Sequence, residues 1–203
     1  MRYPKPLLYH APMACSLAAK IAAAEAGVSI DTAYVDLGSK LLDDGSSYLA
    51  INPLGQVSVL RLTDGALLTE TAAVLVWLQA NANTKGFRIP SDTDCYFQML
   101  RWLGFCATEL HKQLFRVVFY PEATDEVKNR IRGLVPARLE LLDTHLAHRS
   151  FLVGNDFSAA DAYLIWALLL MPRAQVDIGG YPALRDYQHR VGCLLYTSDA
   201  ADE

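Results

Sequence analysis

Cys15, Glu70, Thr71 and His111 stand where the pattern of the chain would let their side chains do chemistry. Cys15 lies between an apolar strand candidate, Pro6 to His10, and an alanine-rich stretch that reads as a helix to Ala26. A sulfur there is near the unpaired N–H groups of a first helical turn, which lowers a thiol pKa from about 8.5 into the range of roughly 3.5 to 7.5 and makes a thiolate available. The bland alternative is a buried small hydrophobe, the reading that Cys95 and Cys106 also receive within helical sequence. Glu70 and Thr71 open a helix, as a first-turn acid and a cap, and the same geometry presents N–H groups and a hydroxyl to a ligand carboxylate. Glu70 is then available for an ammonium group. His111 precedes Lys112 on a long helical period, where a lone histidine is more often a surface or core-edge residue than a catalyst.

The elements that must position these groups follow from periodicity and turn residues. Gly27 ends the first helix as a C-cap, and Ser29 to Val35 alternates as a second strand, completing a βαβ unit. After a polar stretch and the turn Asn52-Pro53-Leu54-Gly55, Val57 to Leu62 reads as a strand, and Asp64-Gly65 before Ala66 to Leu68 as a hairpin. The helix opened by Thr69, Glu70 and Thr71 buries Val74, Leu75, Trp77 and Leu78. Beyond Pro90 only long helical periods appear: Asp92 to Val118, Asp125 to Ala147 and Ala159 to Met171. Ser158 and Asp161 form a capping-box pair at the last of these, a structural feature. The fold class is therefore a thioredoxin-like α/β N-terminal domain, 1–85, followed by an all-α helical domain, 86–192.

Composition excludes several partners. With 203 residues and 52% hydrophobic content the chain can bury one large core or two modest ones. The 18 Lys and Arg are scattered and the net charge is -4, which argues against nucleic acid and anionic membrane. No apolar run is long enough for a membrane span or a secretion signal. Four well-separated cysteines without a CxxC pair favour free thiols in the cytoplasm and speak against a metal site.

The separate signals align in one order: Tyr9-His10-Ala11-Pro12-Met13-Ala14-Cys15-Ser16, then Tyr48 through Val57, then Leu67-Leu68-Thr69-Glu70. Thr108-Glu109-Leu110-His111-Lys112 and Phe151-Leu152-Val153-Gly154, leading to Phe157 through Tyr163, continue it. To Gly192 the chain resembles a cytosolic glutathione transferase of the bacterial beta class. The resemblance implies glutathione as co-substrate, Cys15 facing its sulfur, and Cys15 and His111 as catalytic residues. Ala14, Lys40, Gln56, Val57, Glu70 and Thr71 would bind glutathione, with Lys40 on the glycyl carboxylate, the Val57 backbone on the cysteinyl part and Glu70 with Thr71 on the γ-glutamyl end. Phe115 and Phe119 would receive a small apolar electrophile, and a homodimer is expected.

Two positions depart from the family. Ser58 replaces a cis-proline, and because a cis bond to serine costs about 2.5 to 4 kcal/mol against about 0.5 to 1 for proline, a trans or strained loop is expected. Gly104 replaces an asparagine that reaches the sulfur region. The stretch from Cys193 to Glu203 resembles a translated sequencing adapter and is set apart from the fold, a native extension being the alternative. The leading chemistry is activation of the glutathione thiol for attack on the electrophile. Its rivals are a thiol-disulfide oxidoreductase or peroxidase using Cys15 as nucleophile, and a non-catalytic binding module of the same fold.

Overall fold

In the computed structural model, which describes residues 3–199 without the side chains of 193–199, the apolar run after Pro6 forms β1 (Leu7–His10). Leu8 and Tyr9 point to opposite sides of this strand and are both buried, as a central strand requires. The chain divides into two units, Met1–Ile89 and Pro90–Glu203. In the first, β1 runs parallel to β2 (Asp31–Asp36) and antiparallel to β4 (Val59–Arg61). β4 pairs antiparallel with β5 (Leu67–Thr69), and β2 with the two-residue β3 (Leu41–Leu42), giving the order β3-β2-β1-β4-β5. This is the mixed sheet of a thioredoxin-like domain.

Helix α1 (Ser16–Ala26) packs against α2 (Thr71–Ala80). Ala18, Ala19, Ala22, Ala23 and Ala26 are all buried, and their small side chains let the helix lie close to its neighbours. Gly27 ends α1 at φ 61, returning its N–H to the last carbonyls, where a Cβ would also stand 3.2 Å from Thr84 Cγ2. In the hairpin between β4 and β5, Gly65 adopts φ 92 and Leu62 N donates to Ala66 O at 2.8 Å.

Two details of the sequence reading change here. β3 was not expected: two residues in a polar stretch carry no periodicity, and only their pairing to Val35 and Asp36 makes a strand. On α2, Trp77 is only half-buried, whereas Gln79 is buried and satisfied by donating to Arg88 O at 2.9 Å.

The second unit is helical. Asp92 caps α3 (Thr93–Phe105) by accepting the Cys95 N–H at 2.8 Å. The run continues without a break through a π-helical segment, Cys106–Phe115, into α4 (Arg116–Val118). The single helix expected over Asp125 to Ala147 is two: α5 (Asp125–Arg132) and α6 (Val135–Leu146). Pro136 lacks the N–H that a helix interior needs, so it stands in the first turn of a new helix after Gly133 and Leu134. α7 (Ala159–Leu170) is buried along its length except at Leu169, in keeping with a sequence that is apolar but for Asp161 and the Tyr163 hydroxyl. The capping box is present: Ser158 donates to Asp161 Oδ2 through N at 3.0 Å and Oγ at 2.6 Å. α8 spans Pro182–Asp199. The adapter-like stretch 193–203 lies outside the described residues apart from its backbone to Asp199.

Candidate functional site

The loop Ala11 to Cys15 joins β1 to α1 and carries the candidate sulfur. It turns tightly, with Ala14 N donating to Ala11 O at 3.1 Å and Met13 at φ 59. Cys15 is at the N-cap of α1, yet its side chain makes no capping bond. Instead Sγ, only 4% of the residue being exposed, donates to the Val57 carbonyl at 2.9 Å. The sulfur thus reaches across to another element, the Val57 backbone, and makes no capping bond to the first turn of its own helix.

The segment Tyr48 to Ser58 is built to present backbone. The Tyr48 hydroxyl, on a wholly buried ring stacked obliquely on Tyr9, donates to Gln56 O at 2.9 Å. Asn52 Nδ2 donates to the same oxygen at 2.7 Å, while its Oδ1 accepts the Leu54 N–H at 3.2 Å. Burial pushes the Tyr48 phenol well up, so it remains a donor. The exposed Gln56 side chain and the Val57 backbone are thereby aimed by two side chains to which sequence reasoning gave no role. Their signal was present in the quoted motif, as a tyrosine and an asparagine shortly before the Pro53-Leu54-Gly55 turn. The Val57–Ser58 bond is cis, which overturns the trans alternative. Ser58 is buried, with Oγ 3.4 Å from Thr71 Oγ1.

Glu70 stands at the N-cap of α2 with φ 66 and ψ 119, and its side chain makes no capping bond. A non-glycine residue at positive φ costs of order 1 to 3 kcal/mol and is kept mainly at functional sites. The plain capping role expected for Glu70 is therefore absent; its carboxylate is exposed, beside the buried Thr71. Lys40, also at positive φ, donates from Nζ to Gly55 O at 3.0 Å. Thus Ala14, Cys15, Lys40, Gln56, Val57, Glu70 and Thr71 all belong to the first unit, and direct bonds link Cys15 to Val57 and Lys40 to the Gly55 turn.

In the helical unit, His111 lies in the π-helical segment, a geometry frequent at functional sites that no propensity in the sequence signals. Its Nδ1 is 2.8 Å from the Tyr163 hydroxyl, and its ring meets Trp166 edge-on at 4.9 Å. Burial, aided by Lys112 and Arg116, pushes the imidazole down to about 4, so it is neutral near pH 7. Phe115 stacks on Phe119 at 5.9 Å and packs edge-on against Trp166. Only 2% of Phe115 is exposed against 44% of Phe119. Phe119 therefore presents ring surface, while Phe115, expected to line a site, supplies packing. Gly104 is exposed, with open space where a Cβ would stand. Among the described residues no group of three or more His, Cys, Asp or Glu could hold a metal, and no helix is long and apolar enough to cross a membrane.

Residues 12–81 match the family model of the glutathione S-transferase N-terminal domain, and 125–188 that of the C-terminal domain. A glutathione S-transferase of Escherichia coli O157:H7 is 33% identical across 95% of this chain and 96% of its own length. The chain belongs to the glutathione S-transferase family. Among solved structures, a sphingomonad glutathione S-transferase complexed with glutathione shares 33% identity at a TM-score of 0.86, covering 95% of this chain and 98% of that one. The bacterial beta-class glutathione S-transferase of Sphingomonas chungbukensis shares 32% at 0.84 with the same coverage. This transferase thus has the two-part architecture and the bacterial beta-class likeness that its motifs implied.

Proposed function

We propose that this glutathione transferase holds glutathione on its first unit and activates the thiol for attack on a small apolar electrophile. The observation that carries the reading is Glu70: an exposed carboxylate kept at positive φ at the start of a helix, next to a buried threonine hydroxyl. That arrangement suits an amino-acid end of a ligand, the carboxylate taking the ammonium and the helix start taking the carboxylate. Gln56 and Val57 offer backbone to the cysteinyl part, a strand-like mode that needs no special side chain. Lys40 serves the glycyl carboxylate and Ala14 flanks the sulfur.

Cys15 acts as a hydrogen-bond donor to the glutathione sulfur, an anion-stabilising role supported by its present S–H donation to Val57. The oxidoreductase alternative requires a thiolate in the same place. His111, being neutral, contributes a neutral hydrogen-bonding ring, and Phe119 the aromatic surface for the electrophile. The chain works in the cytoplasm, which suits Cys15, Cys95 and Cys106, none of them joined in a disulfide. It works as a homodimer, for which Phe97 and Leu100, exposed one turn apart on α3, offer an apolar patch.

The test is calorimetric titration of glutathione into the protein and into Glu70→Ala. Saturable binding that weakens at least about tenfold in the variant, as loss of a charged hydrogen bond predicts, is expected. Equal affinity in the two proteins would remove the γ-glutamyl site from Glu70.

A further inference from the structure

One side chain that the proposed chemistry leaves unused closes the loop carrying the sulfur. His10, the last residue of β1, is half-buried and sets Nδ1 3.0 Å from Ser16 Oγ. Ser16 is wholly buried; its oxygen takes the Ala11 N–H at 3.2 Å and lies 3.4 Å from the Ala11 carbonyl. With Nδ1 bare, the serine O–H donates to the ring at the shorter of its two distances. With a proton on Nδ1, the ring donates and the hydroxyl turns to the carbonyl. In both arrangements one oxygen ties the first residue of the loop to the residue after Cys15. Between these ends Met13 holds φ 59, a conformation that a non-glycine residue keeps only when its surroundings over-determine it. The sulfur 2.9 Å from Val57 O is set by this closed loop.

We propose that His10 is a positioning residue for the transferase reaction, acting through Ser16 to hold the Ala11–Cys15 loop and so the direction of the Cys15 S–H. Because this role presupposes Cys15 at the glutathione site, its first readout needs no glutathione. The full chain is alkylated with iodoacetamide and modification of the Cys15 peptide is followed by mass spectrometry. Cys15 is buried, so the rate reports how often the loop opens.

His10→Leu is expected to raise that rate about fivefold, the worth of one buried hydrogen bond. His10→Asn, whose amide reaches the Nδ1 position, keeps the parent rate, whereas His10→Gln, with its amide one bond further out, behaves like leucine. Should the leucine variant not fold, the asparagine and glutamine pair decides alone. In conjugation of glutathione to 1-chloro-2,4-dinitrobenzene, kcat falls in the leucine and glutamine variants while the glutathione KM is unchanged, since His10 touches neither Glu70 nor Gln56. Alkylation rates that are equal across the asparagine and glutamine variants overturn the role, as does a loss confined to KM. A parent that neither binds nor conjugates glutathione, with the alkylation series as expected, overturns the glutathione site and leaves the loop function of His10 standing.

Discussion

At the scale of single residues, His111 and Cys15 show how burial changes what a side chain offers. The unfolded chain takes up the His111 proton near the ordinary 6.5 and the folded chain only near 4. Stability is therefore full above about pH 6.5 and declines as the pH falls toward 4, by about 3 kcal/mol if the shift acts alone. His111→Asn should flatten that acid limb in urea titrations at a series of pH values; an unchanged slope would show that other groups carry it. For Cys15, Cys15→Ala should abolish any mixed disulfide with glutathione, read by intact mass, and lower conjugation without eliminating it. Complete loss of conjugation would instead favour the nucleophilic reading. The chemistry-bearing residue types were legible in the sequence, but their states were not. Whether a sulfur meets an N–H or a carbonyl depends on Val57, 42 positions away.

At the scale of elements, the Tyr48 to Ser58 segment works as a bracket whose two side-chain bonds converge on one carbonyl. Asn52→Ala removes one of them and is expected to weaken glutathione binding about fivefold by calorimetry while the fold is retained. If affinity is untouched, Tyr48 alone suffices to aim Gln56. On α3, Gly104 has room for a methyl group and an ordinary helical backbone. Gly104→Ala should gain about 0.5 to 1 kcal/mol, seen as a raised urea midpoint at constant slope. Glycine caps and the hairpin were readable because αL and turn conformations are dictated locally by residue type. The break before α6 has a local signal too, in Pro136, whereas the π-helical winding over Cys106–Phe115 has none, since it repeats no residue pattern.

At the scale of the molecule, stability of the helical unit converges on Asp161. Besides the two Ser158 bonds, its Oδ1 accepts Leu152 N and the Tyr187 hydroxyl, each at 2.9 Å, with the carboxyl wholly buried. Asp161→Ala strands these donors and should cost roughly 3 to 5 kcal/mol in denaturant unfolding, each buried orphan accounting for about 1 to 3. Assembly is tested separately: Phe97→Glu should shift sedimentation toward monomer if the α3 patch holds the homodimer, and an unchanged profile would move the interface elsewhere. The sequence by itself determined the βαβ start, the hairpin, the change to helices beyond Pro90, the glycine turns and the capping box, because each rests on neighbours within a few positions, whereas β3 and the break between α5 and α6 emerged only in the fold. Tertiary structure alone decided that Cys15 donates to Val57, that Glu70 gives up capping for an exposed carboxylate, that Gln56 is held from behind, and that Phe115 is core while Phe119 is surface. Those outcomes depend on which distant atoms the packed backbone brings within hydrogen-bonding or van der Waals reach, and local propensity does not encode that distance.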